Sequence, residues 1–518
     1  MKKLPIGIQS FRKLRENNCL YVDKTEILLR LVENGSWYFL SRPRRFGKSL
    51  TLSTFEEMFK GSVNLFKGLK AEQWVIEQAA HPSPVLRFDM SDLDATSIDN
   101  LNRSIIAELE DNGEDYDLKM KLEANSSRML KSLIRTLYKQ YGAVVVLIDE
   151  YDKPILDNLS DVNRANEMRE LLRSFYTTLK SCDDYLRFVI LTGISKFSKV
   201  GVFSAMNNLL DISMIEKYGD IAGYTQQELE HYFDNWLKAM AENKKIDTKE
   251  IVARLKNYYD GFCFDGIKRL YNPFSILSFF ETGEFKNYWY ESGSPSFMVN
   301  WMKEHHIQDP EEYRHIVVNG NDFISIQEIE QADAASLLYQ SGYLTIEKKE
   351  EQLLTLDYPN KEVMNSLSSM YLKLIYRVEG YALLGNEIWK ALRQGNIPEI
   401  VRLYNIAIAE IPYDDYVLNR NEFWYRSLFL MLLRGAGIIS YGEPHTSKGR
   451  ADVVIHFQSS VVVLEFKFAE HSTEVKEKKL EGLVHLQDRG YANGYDTEGR
   501  KIISAVFVAD DEHRKVII

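Results

Sequence analysis

Cysteine is nearly absent. Cys19, Cys182 and Cys263 are the three thiols in 518 residues, and at those spacings they form neither a disulfide framework nor a zinc site. A reducing compartment fits. Long apolar runs are lacking too: no stretch approaches the roughly 18 residues that a membrane helix needs. MKKLPIGIQSFRKLREN, at the start, has lysines but no apolar run behind them and does not read as a signal peptide. The expectation is a cytoplasmic protein with no membrane partner. Glycine and proline, at 28 and 12, are not inflated, and neither a low-complexity tract nor a fixed-period repeat is visible, which excludes fibrous and disordered classes. Basic residues are not in excess, the net charge being -11. That balance leaves nucleic acid open, because binding depends on where basic residues cluster. A chain of this length is too long for one core, so two or three domains are expected.

A glycine is also missing where one is usual. SRPRRFGKSL, Ser41 to Leu50, ends as the phosphate-binding loop G-x-x-x-x-G-K-[ST], with Gly47, Lys48 and Ser49 in place, but Arg42 holds the first glycine position. The flanks fit the motif. SWYFL reads as a strand, and Leu50, Leu52, Phe55, Met58 and Phe59 follow at near-helical spacing. A helix N-terminus offers free N–H groups and partial positive charge to phosphate. Gly47 lets the backbone approach, Lys48 is placed for the β- and γ-phosphates of ATP, and the Ser49 hydroxyl for Mg²⁺. Arg45 and Phe46 join them as candidate nucleotide-binding residues, and Arg42, Arg44 and Arg45 add positive charge. The plainer alternative is a basic turn capping a helix.

YGAVVVLIDEYDKPI weighs against that alternative. Its apolar run, Ala143 to Ile148, reads as a buried parallel strand ending in Asp149 and Glu150. Carboxylates at such a strand end sit where open α/β sheets bind ligands. Asp149 is the candidate support for Mg²⁺ and Glu150 the candidate group to polarise the attacking water. PVLRFDMSD and RFVILTGISKFS are further strand candidates. An extra strand between loop and acidic strand is what an ATPase with an inserted central strand would show. Thr192 and Ser195, after FVIL, are candidate γ-phosphate sensors, against ordinary turn chemistry.

YVDKTEILLRLVENGSWYFLSRPRRFGKSLTLSTFEEMF, LIDEYDKPI, LTGISKFS, GYTQQELEHYF, YDGFCFD and YNPFSIL together resemble the AAA-ATPase-like proteins of bacteria and archaea. The loop of that family characteristically reads R-P-R-R-F-G-K-S, so Arg42 resembles the family's own variant. The resemblance runs from about Lys3 to Phe280 and implies an ATPase core, with assembly into a homo-oligomer as a further implication. No arginine finger stands out, and Arg269 reads as a surface arginine. From Gly223 the chain turns helical, with Thr225 and Glu228 spaced as a capping box, and resembles the small lid that follows an AAA core. AASLLYQSGYLTIEKKEEQLLTLDYPN reads as helix, turn and hairpin, either a winged-helix element or a linker packing on the lid.

GRADVVIHFQSSVVVLEFKF carries the second constellation. ADVVIHF and VVVLEFKF read as two strands joined by a polar turn. Glu465 and Lys467 lie two apart and so share a face, with Asp452 opposite or diagonal across the hairpin. Two carboxylates and a lysine on one face suit a Mg²⁺-dependent nuclease: Asp452 and Glu465 as metal ligands, with Lys467 positioning water or neutralising charge. D…E-x-K on a hairpin is the PD-(D/E)XK pattern. The competing reading is a Glu465–Lys467 pair on a solvent-facing strand. Helices on both sides, then the strand KIISAVFVA, give the nuclease core order. The region resembles the nuclease-like domain that ends many members of the ATPase family. That resemblance implies Asp452, Glu465 and Lys467 as site residues, Glu422 as the carboxylate of the first helix, and Gly449 and Arg450 as the lead-in. It departs at His485, where the family has glutamine, although Tyr491 is retained.

The expected architecture is α/β: a P-loop NTPase parallel sheet (1–222), a helical lid and connecting subdomain (223–375), and a restriction-endonuclease-like domain (376–518). The expected function is ATP hydrolysis coupled to a Mg²⁺-dependent nuclease-like domain acting on DNA or RNA. The alternative is a nucleotide-switched module that binds nucleic acid or protein without cleavage.

Overall fold

The computed structural model describes residues 1–120, 123, 125–196, 208–291, 301–302, 310–323, 333–412, 420–438, 440–442, 445–446, 449–450, 452–457, 460–488 and 501–518. They form two compact units, Met1–Trp301 with His315–Glu362, and Met302–Arg314 with Val363–Ile518.

The first unit is built on apolar, β-rich segments that pair in parallel: β1 (Trp37–Ser41), β2 (Val85–Asp89), β3 (Val144–Asp149), β4 (Leu186–Gly193) and β5 (Leu210–Asp211). Their order is β2-β3-β4-β1-β5. Every residue of β3 is buried, as its unbroken apolar run requires of a strand covered on both faces. The strand lying between the two motifs in sequence is β2, at the sheet edge. In space, β4 is inserted between the loop strand β1 and the acidic strand β3. Ser41 pairs with Gly193 and Ile148 with Leu191, so the ends of the three strands lie together.

Arg42, at the missing-glycine position, is 1 % exposed. Its guanidinium turns away from the loop. It donates to the carbonyls of Ser41 and Ser213 at 2.8 Å and of Gly219 at 3.1 Å, and lies 4.3 Å from the centre of the Phe264 ring. The left-handed backbone positions of the loop are Arg45, at φ 64°, and Gly47, at φ 96°. Residue 42 is not among them, so no glycine is needed there, and the side chain is used to hold the following segment.

The lid comprises the helices Gln226–Tyr232, Asp234–Lys244, Thr248–Tyr259 and Pro273–Thr282. Thr225 and Glu228 form the capping box that their spacing predicts. Glu228 also pairs with the buried Lys24 at 2.6 Å, tying the lid to the segment before the first long helix. The antiparallel sheet of β6 (Ile316–Asn319), β7 (Thr345–Glu350) and β8 (Leu353–Asp357), in the order β6-β8-β7, follows. Arg269 is not an idle surface residue: it donates to the backbone carbonyls of Ile346 and Glu347 and so fastens this sheet to the YDGF turn.

The second unit contains β9 (Ser440–Gly442), the small pair β10 (His445–Thr446) and β11 (Gly449–Arg450), then β12 (Val453–His456), β13 (Ser460–Ala469), β14 (Lys501–Asp510) and β15 (Lys515–Ile517). The main sheet has the order β15-β14-β13-β12-β9. β12 and β13 form the expected antiparallel hairpin, and β14 returns parallel to β13. Helix Val475–Asp488 packs against both. Gly482 permits this close approach, since a Cβ there would lie 2.5 Å from Val506 Cγ1. Tyr491 lies outside the described residues.

Restoring the usual loop glycine should harm the protein. Arg42→Gly strips buried carbonyls of their donor and leaves a void, and is expected to lower the unfolding free energy by about 3 kcal/mol. Urea unfolding beside Arg42→Lys checks this; an unchanged midpoint for Arg42→Gly would refute it.

Candidate functional site

The first site stands at the ends of β1, β3 and β4. Helix Lys48–Phe59 begins directly behind Gly47, so the free N–H groups of its first turn face the loop. A cleft of about 330 Å³ opens there, lined on its polar side by Arg44, Arg45, Gly47, Lys48, Ser49, Glu150 and Lys153. The other wall is apolar and comes from Ile8, Tyr224, Pro273 and Phe274. Lys48 donates to the carbonyls of Arg42 and Pro43 at 3.0 and 3.2 Å. Burial pulls its pKa down, against the nearby charges of Glu150, Asp149 and Asp152. Burial likewise raises that of Glu150, with Lys48 opposing. Glu150 has φ 48°, a left-handed turn that carries its side chain off the strand direction into the cleft.

Asp149, 1 % exposed, lies behind them. Its Oδ1 accepts from the Thr192 hydroxyl at 2.5 Å and the Glu150 amide at 3.1 Å. Its Oδ2 is buried with no hydrogen-bond partner. A buried carboxylate oxygen without a donor is costly, and a divalent cation beside it would satisfy it; the donor set therefore fits a metal.

Three sequence candidates sit differently from expectation. Thr192 is fully buried and its hydroxyl is committed to Asp149, so it orients the carboxylate rather than lining the cleft. The Ser195 hydroxyl donates to Asp152 at 2.6 Å, as does its amide, which fixes the end of β4 and leaves nothing to sense phosphate. The Phe46 ring packs edge-on against Phe262 and Phe264, so only its backbone is available to a nucleotide. Pocket-lining Lys153, in YDKPI, was missed by sequence reasoning; its spacing after Asp149 was the available signal.

The second site is assembled on β12, β13 and helix Glu422–Gly435. Asp452 Oδ2 accepts from the Phe466 amide at 2.7 Å, locking the carboxylate across the hairpin. Lys467 donates to Glu465 at 2.9 Å and to the Phe466 carbonyl at 2.8 Å, and Glu422 lies 3.9 Å from it. Glu465 and Lys467 are buried, at 4 % and 6 %, which rules out the solvent-facing pair. Glu465 Oε2 is a second buried oxygen without a donor, so this set too fits a divalent metal. Gly449 and Arg450 form β11.

Burial raises the pKa of Asp452, helped by Glu465, and raises that of Glu422. Burial also opposes the charged form of Lys467, but the bond to Glu465 and its charge outweigh this and hold its pKa above the ordinary lysine value. His485 occupies the departure from the family pattern, and its Nδ1 stands 3.2 Å from Glu465 Oε1. Gln487 is exposed. Arg426, missed by sequence reasoning, pairs with Asp452 at 3.3 Å. Its position one helical turn after Glu422 was the available signal.

These features define a class: a P-loop α/β ATPase-type domain with a helical lid, accompanied by a restriction-endonuclease-like α/β domain. A family model described as "Predicted AAA-ATPase" matches residues 5–203, and that of the PD-(D/E)XK nuclease superfamily matches residues 420–518. Over 513 residues the chain is 36% identical to a protein of Azotobacter chroococcum mcd 1, described as an uncharacterized protein in the vnfD 5′ region, across 97% of this chain and 95% of that one. The chain belongs to the AAA-ATPase-like family and carries a PD-(D/E)XK nuclease superfamily domain at its C-terminus. Among solved structures, the ORC2 protein of Aeropyrum pernix, in ADPNP–ADP complexes, aligns with a TM-score of 0.24 and 12% identity over 67% of this chain and 92% of that one. The ORC1 protein of Aeropyrum pernix, in complex with DNA, aligns with a TM-score of 0.23 and 10% identity over the same shares. Neither likeness bears on function. No helix among the described residues is long and apolar enough to cross a membrane.

Removing Glu465 strands a buried cation. Glu465→Ala is expected to destabilise the second unit by about 3–5 kcal/mol, and the double variant Glu465→Ala with Lys467→Met to recover most of the loss. Denaturant unfolding of the four corners of that cycle measures it; additive effects would show that the pair is not coupled.

Proposed function

We propose that the chain binds and hydrolyses ATP with its first unit and that this cycle governs a metal-dependent nuclease site in the second, acting on nucleic acid. The work divides by segment: 1–222 as the ATPase core, 223–375 as lid and connector, 376–518 as the nuclease-like part. One observation carries the reading. Each unit holds a buried carboxylate oxygen without a donor, Asp149 Oδ2 and Glu465 Oε2, inside the cluster that its motif would place at a metal.

In the first site, Lys48 and the amides behind Gly47 bind the phosphates, Ser49 and Asp149 would hold Mg²⁺, and Thr192 fixes the Asp149 carboxylate. Glu150 takes the proton of the attacking water, and the apolar wall from Tyr224 to Phe274 receives the base. In the second, Asp452 and Glu465 would be the metal ligands, with Glu422 at the rim. A bound divalent metal would supply an acidified water and neutralise charge on the phosphate. Lys467 would position that water and stabilise the charge.

A second reading is favoured by the contacts Arg426–Asp452 and His485–Glu465, which occupy the carboxylates with protein partners. In it the second unit grips nucleic acid or protein without cutting, under nucleotide control.

Cleavage of plasmid and single-stranded DNA with Mg²⁺ or Mn²⁺, with and without ATP, separates the two. Cutting that is lost in Glu465→Gln and made ATP-independent or abolished in Lys48→Ala supports the nuclease. ATP turnover with no cutting under any condition supports the switch.

Metal binding should also depend on pH. Asp452 and Glu422 have folded pKa values raised by burial. Without metal, the folded unit therefore holds their protons more tightly than the unfolded chain. It loses stability as pH rises from about 4 through those raised values. A divalent ion competes with the same protons, so Mn²⁺ affinity measured by calorimetry is expected to weaken as pH falls from about 7.5 toward about 4, and the gain in melting temperature to shrink with it. Affinity unchanged across that range would refute the assignment.

A further inference from the structure

The loop R-P-R-R-F-G-K-S carries three arginines, and the structure gives each a different place. Arg42 is buried and holds the backbone from Ser213 to Gly219. Arg45 lies at the exposed rim of the cleft, its guanidinium 5.1 Å from the centre of the Phe274 ring on the lid. Arg44 lines the cleft with Lys48, Ser49 and Glu150. Among the described residues it forms no ion pair, and its Nε is buried without an acceptor. Its backbone is fixed from behind, the Trp289 indole N–H donating to the Arg44 carbonyl at 3.2 Å. The Glu150 charge lies close enough to act on it, but no ion pair forms, and a guanidinium partly removed from water with an unmet N–H is incompletely satisfied where it stands. A polyanion entering the cleft would supply the missing acceptor. Arginine suits the task because it stays protonated and presents a planar fork to phosphate oxygens.

We propose that Arg44 is a catalytic residue that contacts the terminal phosphate of the bound nucleotide and neutralises the charge that develops there, so that each chain supplies its own arginine in cis. This rests on the ATPase reading above. In the step itself the water oxygen forms a bond to the γ-phosphorus as the bond from that phosphorus to the bridging oxygen breaks. The water proton passes to Glu150, and ADP and inorganic phosphate leave. Arg44 makes and breaks no covalent bond. It contributes only where charge grows. Two of the three ammonium hydrogens of Lys48 go to the Arg42 and Pro43 carbonyls, which leaves it one for phosphate.

The test uses the full chain with Mg²⁺ in wild-type, Lys48→Ala, Arg44→Ala and Arg44→Gln forms, the last serving where Arg44→Ala does not fold. Three readouts are taken: binding of a fluorescent ATP analogue, ATP turnover, and trapping of ADP with aluminium fluoride, which mimics the planar phosphoryl group. The expected result is turnover down at least about a hundredfold in the Arg44 variants. Analogue affinity should stay within about threefold of wild type, and trapping should be lost. Wild-type turnover per chain should hold constant across about a hundredfold range of protein concentration. Arg44 variants that turn over and trap like wild type overturn the proposal while Lys48→Ala still upholds the ATPase. Turnover per chain that climbs with concentration overturns the cis assignment. A wild-type chain that binds the analogue but hydrolyses no ATP overturns the ATPase reading and this proposal with it.

Discussion

An ionised carboxylate taken out of water must find donors or a cation, or it costs several kcal/mol. Both units are organised around that requirement. In the first, Asp149 ends a strand that is buried along its whole length, and Thr192 on the neighbouring strand satisfies one of its oxygens. Asp152, three residues on, is satisfied by the amides of Ile194 and Ser195 and the Ser195 hydroxyl. The strand ends are thereby fixed to one another, and the loop after β1 and the turn after β3 inherit their positions from those bonds. In the second unit Asp452 takes the Phe466 amide across one hairpin, and Glu465 takes Lys467 two residues on along the same strand. Charges usually placed at surfaces here determine the local geometry, and the oxygens left over are the ones a cation would meet.

The altered phosphate loop follows from the same logic. A glycine-rich loop keeps its shape through backbone freedom. This one confines left-handed geometry to Arg45 and Gly47 and replaces freedom elsewhere by anchoring. Arg42 is tied to three backbone carbonyls, and Trp289 holds the carbonyl of Arg44. An anchored loop loses less entropy when phosphate binds than a flexible one. It also assigns arginines with nearly identical sequence surroundings to separate tasks, one internal, one at the cleft rim against the lid and one within the cleft.

The strands were legible where their composition was decisive. The apolar run before Asp149 and the pair of runs around Asp452 and Glu465 each became a strand, because nothing but burial on both faces accommodates them. Glu465 and Lys467 could be placed on one face from a period of two. The spatial order of strands could not be read this way. β2 lies between the motifs in sequence yet at the sheet edge, because hydrophobicity reports burial and not neighbours. Thr192 and Ser195 were recognised as polar residues at a strand end, but their orientation depends on Asp149 and Asp152, which join them only in the fold. Arg426 was hidden for the same reason: on a helix dense in apolar side chains, its partner lies twenty-six residues away across a turn.

The two sites differ in what they are ready to accept. The first presents cations, Arg44 and Lys153 among them, around a cleft that has an apolar wall and that Glu150 also lines, and Asp149 sits deeper. It is arranged for a polyanion with an apolar end, with a cation held beneath. In the second, other side chains already stand on the carboxylates: Arg426 on Asp452, Lys467 and His485 on Glu465. A divalent ion entering there competes with Arg426 for an oxygen only 3.3 Å from the guanidinium. Its gain would therefore come chiefly from Glu465 Oε2, which nothing among the described residues satisfies. On the proposed reading such a site would bind metal weakly by itself and more strongly once a phosphate draws Arg426 away, because arginine exchanges one anion for another at little cost while an unpaired carboxylate does not remain without a partner. Metal and nucleic acid would then load together, each removing the charge that holds the other off.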